Sequence, residues 1–238
     1  MFVFNMKMKK ERIIIAIDGH SSTGKSSFAK LIASKYGLIY VDTGALYRGV
    51  SLFAARNSLI DRNNVIDTAA LEKGVANLNL QFKPSGPYGE SELYMDGELV
   101  EREIRTLEIS SKVSFIAALP FVRKFVDSIL EKYGAERGVV MDGRDIGTVV
   151  FPDAELKIFM TASAEVRATR RYREMTARGE NPDYDEVLKN VRERDFIDEN
   201  RETAPLRRAK DAILLDNSDM TIQDQLDWIE KIIKERWN

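Results

Sequence analysis

The most informative residues of this chain form a glycine-rich segment whose backbone is suited to holding phosphate groups. Residues 19–26 read Gly-His-Ser-Ser-Thr-Gly-Lys-Ser and fit the pattern G-x-x-x-x-G-K-[ST]. In such a loop the glycines let successive N–H groups point at one anion, and the following helix adds its positive N-terminal end. A lysine at the place of Lys25 reaches the β- and γ-phosphates, and a hydroxyl at Ser26 is a ligand for Mg²⁺.

This loop predicts binding of a nucleoside triphosphate together with Mg²⁺. The residues expected to contact the triphosphate are Gly19, His20, Ser21, Ser22, Thr23, Gly24, Lys25, Ser26 and Ser27, with Ser26 at the metal. A glycine-rich turn in an unrelated α/β fold is the competing interpretation. The apolar run at 12–18 and the helical spacing after the loop favour a P-loop. His20 is expected to occupy a solvent-facing position of the loop rather than to act in catalysis.

Two clusters of acidic and basic residues follow later predicted strands. They are Asp42-Thr-Gly-Ala-Leu-Tyr-Arg48 and Met141-Asp-Gly-Arg-Asp145. The carboxyl ends of parallel strands meet at the sheet edge where ligands bind. There Tyr47 and Arg48 offer an aromatic ring and a fork of donors for a second phosphate, and Asp142 offers a carboxylate for positioning a metal ion or water. An ordinary capped helix and a surface ion pair remain the alternatives.

The second half of the chain is dense in arginine, at positions 167, 170, 171, 173, 178, 192, 194, 201, 207 and 208. Steps of three and four place Val187, Val191, Arg194, Asp198 and Arg201 on one stripe of a single helix. A stripe that begins apolar turns its charges toward the core side, which is costly unless anions meet them there. The pattern favours arginines that face a phosphoryl group in transfer, and a buried ion-pair network is the alternative.

The elements that must position these residues alternate between strands and helices, which indicates a parallel sheet. Short apolar runs predict five strands at 13–18, 38–42, 138–142, 156–160 and 212–216, with helices on both faces. A last helix over 221–237 carries an apolar stripe, and Thr221 with Asp224 offers it a capping box. Between the strand–helix units, the turn signals within 78–100 predict a small inserted antiparallel meander.

Composition places the chain among globular proteins and excludes several kinds of chemistry. Its 238 residues carry a net charge of −2, no cysteine and one histidine. These counts exclude disulfides, thiolate metal sites, a cysteine nucleophile and histidine-cluster metal sites. The charge balance predicts neither a nucleic-acid nor a membrane partner. With no apolar run near the ~20 residues of a membrane span and no secretory signal, we expect a cytoplasmic location. The expected state is a monomer.

Together these residues resemble the nucleoside monophosphate kinases, and among them the bacterial cytidylate kinases. The resemblance covers nearly the whole chain after a flexible tail at 1–10, and it rests on residues 15–26, 42–48, 103–106, 120–123, 142–154 and 194–201. Its most specific segment is Asp142-Gly-Arg-Asp-Ile-Gly-Thr-Val-Val-Phe-Pro-Asp-Ala154. The resemblance implies one P-loop kinase domain at 11–238, with about 64–104 as a nucleotide-binding insertion and about 167–185 as a helical lid.

By resemblance, the chain transfers the γ-phosphoryl group of ATP to CMP or dCMP in pyrimidine nucleotide metabolism. The implied acceptor site consists of Thr43, Tyr47, Arg48, Arg105, Ser114, Arg123, Asp142, Gly143, Arg144, Asp145, Arg194, Asp198 and Arg201. The implied catalytic residues are Lys25, Arg144, Arg167 and Arg171, with Arg170 beside ATP. Base choice is expected to reside in Ser114, Arg123 and Asp145, because a carboxylate can accept from the cytosine amino group while a guanidinium donates to N3 or the 2-carbonyl.

Two other functions remain open at this point. The chain fits another P-loop kinase that acts on a different monophosphate or a metabolite hydroxyl, and it fits a nucleotide-operated switch. A guanine-nucleotide switch should carry an Asn-Lys-x-Asp motif, which the sequence lacks, and the arginines favour a second anionic substrate. Two departures from the family are mild: the loop interior His20-Ser-Ser-Thr23 is not the Pro/Ala/Gly-rich one of many relatives, and Thr43 stands where serine is frequent.

Overall fold

A computed structural model describes residues 13–85 and 91–237. In this part the strands are β1 (Ile14–Gly19), β2 (Ile39–Asp42), β3 (Leu80–Pro84), β4 (Ser91–Met95), β5 (Glu98–Leu99), β6 (Val139–Gly143), β7 (Leu156–Thr161) and β8 (Ile213–Asp216). Five of them form a parallel sheet in the order β2-β6-β1-β7-β8. The five predicted parallel strands are confirmed, with bounds that differ by about one residue.

The helices of the same residues are α1 (Lys25–Tyr36), α2 (Thr43–Arg56), α3 (Thr68–Val75), α4 (Leu107–Ala117), α5 (Pro120–Glu136), α6 (Ala164–Ala177), α7 (Tyr184–Asn200) and α8 (Ile222–Trp237). A 3₁₀ turn spans Glu103–Arg105 and a π turn spans Ile146–Val150. Side-chain caps begin several helices: Asp42 accepts from Ala45 N at the start of α2. At α8, Thr221 and Asp224 bond each other's backbone N–H, so the predicted capping box is confirmed.

The central sheet is buried on both faces, and successive strand residues enter different cores. From β1, Ile14 and Ala16 join a core made with α2, α4 and α5. Ile15 and Ile17 join a second core made with α1 and α8. Because both faces need apolar side chains, the strands read as continuous apolar runs, and the predicted helices on both faces are confirmed.

The predicted meander is present as the antiparallel sheet β3-β4-β5. Its Leu80, Leu93 and Met95 belong to the first core of the sheet, so the insertion packs directly on the α/β body. Residues 86–90 of the predicted turn and the predicted tail at 1–10 lie outside the described residues.

Helices α6 and α7 follow β7 and pack on each other as an antiparallel pair. A small apolar cluster of Ala168, Met175, Val187 and Val191 joins them. The predicted stripe therefore begins as expected, with Val187 and Val191 against a neighbouring helix. Among the described residues, none of the helices combines the length and apolar composition needed to cross a membrane.

Candidate active site

A cleft of about 630 Å³ opens at the carboxyl ends of the parallel strands. Its walls come from the loop after β1, the starts of α1 and α2, helix α4, the segment after β6, and helices α6 and α7. The sequence-predicted residues that line it are Ser21, Ser22, Gly24, Lys25, Ser26, Ser27, Thr43, Tyr47, Arg48, Arg105, Ser114, Arg123, Asp142, Gly143, Arg144, Asp145, Arg170, Arg171, Arg194, Asp198 and Arg201. The remaining predicted residues are not part of this lining; they are Gly19, His20, Thr23 and Arg167.

The loop that joins β1 to α1 is built around two glycines. Gly19 has φ 145°, and a Cβ there would lie 2.0 Å from the carbonyl oxygen of Met160, so β1 and β7 can be this close only with glycine. Gly24 has φ 90° immediately before α1. This turn sets the first N–H groups of α1 at the cleft, where the positive end of the helix favours an anion.

Lys25 lies at the start of α1 and is buried at the bottom of the cleft. Its Nζ donates to the carbonyl oxygen of His20 at 2.6 Å, within the same loop. Burial and the nearby positive charge of Arg144 lower the pKa of Lys25 to about 7. An anion bound in the loop would stabilise the charged ammonium, because opposite charge favours the ionised form.

Ser26 and Asp142 face each other across the ends of α1 and β6. The Ser26 hydroxyl donates to Asp142 Oδ2 at 2.9 Å, and the Tyr40 hydroxyl donates to Asp142 Oδ1 at 2.8 Å. Burial and the negative charge of Asp42 raise the pKa of Asp142. A hydroxyl beside a buried carboxylate is the donor set with which P-loop enzymes hold Mg²⁺.

Arg48 and Arg105 meet at the carboxylate of Asp42, where α2 begins. The terminal nitrogens lie 3.3 Å from Asp42 Oδ2 for Arg48 and 2.8 Å for Arg105, and Glu101 also holds Arg105. Burial alone would raise the pKa of Asp42, but the two arginines outweigh it and lower that pKa to about 2. The structure thus brings the guanidinium groups of Arg48 and Arg105 to one point of the cleft.

Arg123 and Asp145 form a buried ion pair at the far end of the cleft, and Arg201 Nη2 lies 3.6 Å from Asp145 Oδ1. The guanidinium of Arg123 also stacks 5.4 Å from the centre of the Tyr47 ring. These groups offer a donor, an acceptor and an aromatic face within one buried corner. Such a set fits the edge and face of a nucleobase.

The charged stripe of α7 faces the cleft, so the predicted ligand-facing orientation holds for Arg194 and Asp198. Asp198 accepts from Arg144 Nε at 2.8 Å and from the Ser114 hydroxyl at 3.1 Å. The expectation that Arg201 belongs to the same helical stripe is wrong, because α7 ends at Asn200 and Arg201 follows in extended backbone, with two of its nitrogens bonded to Ala204 O. The two interpretations of the stripe are therefore compatible: its charged side chains line the cleft, and they also form ion pairs and hydrogen bonds with other residues of the protein.

Guanidinium nitrogens on both sides of the cleft are buried without a partner. Among the described residues nothing bonds the Nε of Arg48, Arg171 or Arg194. Burial, together with the charges of Arg171 and Arg144, lowers the pKa of Arg194 to about 9. A buried donor without a partner costs free energy, and an anion in the cleft would remove that cost. The geometry therefore indicates that this cleft binds phosphate groups.

Arg167 is not among the residues that line the cleft in this structure, so its role in catalysis stays a prediction. Its nitrogens are engaged by both oxygens of Asp195, at 2.9 and 2.6 Å, and by the carbonyl oxygens of Ala162 and Ser21. Arg170 lines the cleft but bonds Thr23 O and Asn217. Both side chains therefore donate to backbone carbonyl groups of the loop, Arg167 to Ser21 O and Arg170 to Thr23 O.

His20 also differs from its expected solvent-facing position. Its Nε2 lies 2.7 Å from Glu199 Oε1 on α7, and its ring edge meets Phe159 with 6.1 Å between ring centres. The side chain is 16 % exposed. Thus the loop is bonded to α7 through a histidine that the motif alone leaves unassigned.

Several contributors to the site were missed by the sequence analysis. Asp18 accepts from the N–H groups of Ile146 and Gly147, both at 2.8 Å. Burial raises the pKa of Asp18 to about 7. The side-chain amide of Asn217, just after β8, donates a hydrogen bond to Thr23 O. The signal for both was position: each is a polar residue at the carboxyl end of a predicted parallel strand, the edge where ligands bind.

Comparison with known proteins places this geometry in a family. The model of the family described as "Cytidylate kinase" matches residues 15–235. A protein named cytidylate kinase from Bacteroides thetaiotaomicron is 48% identical over 229 residues, covering 94% of this chain and all of the relative. One of the same name from Flavobacterium psychrophilum is 50% identical over 215 residues, covering 90% of this chain and 95% of the relative.

Solved structures resemble the chain more distantly. A crystal structure of an uncharacterised protein from Eubacterium ventriosum superposes with a TM-score of 0.49 at 14% identity, over 94% of this chain and 99% of that chain.

Proposed function

The chain belongs to the cytidylate kinase family, and we propose that it transfers the γ-phosphoryl group of ATP to CMP or dCMP. The products are ADP and CDP or dCDP. The observation that carries the proposal is the cleft itself, in which a phosphate-binding loop and a buried Arg123–Asp145 pair face each other across a set of arginines. A cleft with separate places for a triphosphate and for a base with its own phosphate fits a reaction between two nucleotides.

In the proposed assignment the donor lies on the loop 19–27 and the acceptor lies against α2 and α4. Lys25 donates to the β- and γ-phosphates of ATP, and the N–H groups at the start of α1 hold the same charges. Arg48 and Arg105 take the phosphate of CMP, which replaces part of their bonding to Asp42. Asp145 accepts from the cytosine amino group, and Arg123 donates to N3 or the 2-carbonyl.

The transfer forms a bond between an oxygen of the CMP phosphate and the γ-phosphorus of ATP, and it breaks the bond from that phosphorus to the bridging β,γ-oxygen. The leaving ADP keeps the bonding electron pair. Negative charge spreads over the equatorial oxygens of the transferred group. Arg144, Arg171 and Arg194 line the cleft at this position, largely shielded from solvent, so they stabilise that charge without rearranging water.

Ser26 and Asp142 are the residues that would hold Mg²⁺. A bound Mg²⁺ ion would supply positive charge that offsets the charge of the substrate phosphates. No group of three or more carboxylates or histidines within 13–85 and 91–237 is placed to hold a metal ion. One hydroxyl and one carboxylate suit Mg²⁺, which usually keeps several waters and shares its coordination with substrate phosphates.

The proposal extends to the organisation of the protein. The meander and its surroundings, about 64–104, would be the insertion that contacts the acceptor nucleotide, and about 167–185 would be the lid over ATP. A monomer is the proposed working unit. The proposed substrates suit a reaction of pyrimidine nucleotide metabolism, and the proposed location is the cytoplasm.

A coupled assay of ADP release tests the proposed function. The protein is given ATP with Mg²⁺ and each of CMP, dCMP, UMP, AMP and GMP in turn, and CDP is identified directly. We expect CMP and dCMP to be the preferred acceptors, and no activity when a chelator is in excess over Mg²⁺. ADP release with AMP or GMP but not with CMP would show that the proposed acceptor is wrong.

A further inference from the structure

The histidine of the phosphate-binding loop is bonded to a carboxylate on α7. His20 Nε2 and Glu199 Oε1 lie 2.7 Å apart, although the two residues are 179 positions apart in the chain. Glu199 does not line the cleft, and it has no place in the reaction described above. The pair therefore connects the loop that is proposed to hold ATP with helix α7, which carries Arg194 and Asp198.

A second connection between the same two elements passes through Arg167 of α6 and reaches α7 one turn before Glu199. Asp195 takes both terminal nitrogens of Arg167, and Arg167 Nη1 also donates to Ser21 O at 3.3 Å. Asp195 and Glu199 are four residues apart, so they share one face of α7. Arg194 and Asp198, each one residue earlier, share the adjacent face that lines the cleft.

Helix α7 thus contacts the loop with one face and the reacting groups with the next. We propose that His20, Arg167, Asp195 and Glu199 form a latch that sets the position of the loop relative to Arg194. This inference rests on the proposed kinase activity and adds Asp195 and Glu199 to it as positioning residues. Phosphoryl transfer depends on alignment, and a displacement of about 1 Å can cost roughly a hundredfold in rate.

The test compares Glu199→Ala and Glu199→Gln with wild type and with Glu193→Gln. Glu193 lies on the exposed side of the same helix, so it is a matched control. The turnover rate is expressed per ATP-binding site, counted by equilibrium binding, so that an unfolded fraction is not included. All rates are taken well below the melting temperature of the least stable variant.

We expect Glu199→Ala to lower the turnover rate about tenfold, while the dissociation constants of ATP and CMP each change less than about twofold. Glu199→Gln keeps an oxygen that accepts from His20, so it should recover most of the rate. Glu193→Gln should match wild type. A Glu199→Ala rate within twofold of wild type, or an equal loss in Glu193→Gln, would overturn the proposal.

A double-mutant cycle with His20→Ala separates the pair from other effects of the loop. If the two side chains act through each other, the double variant should be no slower than the slower single variant, because the second substitution removes nothing more. Rates that multiply would show that His20 and Glu199 act independently. A wild-type protein that cannot phosphorylate CMP would refute the proposed function. An active wild type whose Glu199 variants have the same turnover rate would refute only the latch.

Discussion

At the scale of single residues, carboxylates hold the arginines of the cleft in place before a substrate binds. Asp42 holds Arg48 and Arg105, Asp145 holds Arg123, and Asp198 holds Arg144. Each of these arginines is therefore oriented by an acceptor on the protein, and all four line the cleft. Such preorganisation stabilises charge in the transition state without a cost of rearrangement at the moment of reaction.

Lys25→Met should leave a folded protein with almost no turnover. Lys25 is the buried ammonium at the bottom of the loop, and removing a donor that meets developing charge typically costs roughly a hundredfold or more. Steady-state rates with CMP and a thermal melt measure the two effects. Lys124→Met, at an exposed position of α5, is the control, and a loss below tenfold in Lys25→Met would show that Lys25 is misassigned.

Asp145→Asn should lower kcat/KM for CMP and narrow the preference for CMP over UMP. If the oxygen of the substituted amide stays with Arg123, its NH₂ group faces the cytosine amino group as donor against donor, but it suits the 4-carbonyl of uracil. Rates with both nucleotides give the ratio, and the exposed Asp153→Asn is the control. An unchanged ratio with weakened ATP binding would place Asp145 on the donor side.

At the scale of elements, the site depends on how each helix begins. Asp42 caps α2 through Ala45 N and also holds Arg48 and Arg105. One carboxylate therefore joins a helix start to two of the proposed phosphate ligands. Asp18 performs a comparable task for the π turn after Asp145, because it fixes two consecutive N–H groups of that turn. The hydrogen bonds and ion pairs of Asp42 and Asp18 therefore help to fix where the groups of the cleft lie.

Asp42 should contribute stability that is lost in acid. Its pKa is about 2 in the folded protein against an ordinary 3.8. The contribution is therefore fully present above about pH 4 and is lost as the pH falls toward 2. The shift corresponds to about 2 kcal/mol.

Denaturant unfolding of wild type and Asp42→Asn, from pH 2 to pH 7, measures this contribution. The difference in unfolding free energy should be constant above about pH 4 and shrink below it. Asp67→Asn is the matched control, since Asp67 caps α3 through Ala70 N and makes no ion pair within the described residues. A difference for Asp42→Asn that does not change with pH would mean that the arginines do not stabilise the carboxylate.

At the scale of the whole molecule, one sheet serves two cores, and the cleft lies at its edge. Leu130 of α5 is fully buried in the first core, and Ile233 of α8 is fully buried in the second. Both cores use side chains from the same strand β1. A cavity in either core therefore destabilises β1, and with it the phosphate-binding loop that follows β1.

Leu130→Ala and Ile233→Ala should each lower the free energy of unfolding by about 2–5 kcal/mol, and both should shift one common transition. The reason is that a cavity in either core destabilises the shared sheet. Calorimetry and circular dichroism measure the transition, and Ile222→Ala is the control, because Ile222 is 60 % exposed. Two separate transitions, one moved by each variant, would show that the cores unfold independently.

Much of the fold and part of the site were predictable from local sequence signals. The loop at 19–26 is recognisable because its chemistry lies in eight consecutive residues, and the parallel strands because burial on both faces requires apolar runs. The stripe Val187–Val191–Arg194–Asp198 follows from helical spacing alone, since residues three and four apart share a face. These features depend on neighbours along the chain.

Only the tertiary structure decided which distant groups meet. Asp18 bonds Ile146 and Gly147 because the order of the sheet places β1 beside β6. Arg167 braces the loop while Arg171 lines the cleft, although both belong to one arginine-rich helix. The two arginines are four residues apart and share a face of α6, so the packing at each level of the helix decides that Arg167 bonds Ser21 O and Asp195 while Arg171 lines the cleft. The His20–Glu199 pair depends in the same way on how α7 packs beside the loop, and no pattern in either segment encodes that distance.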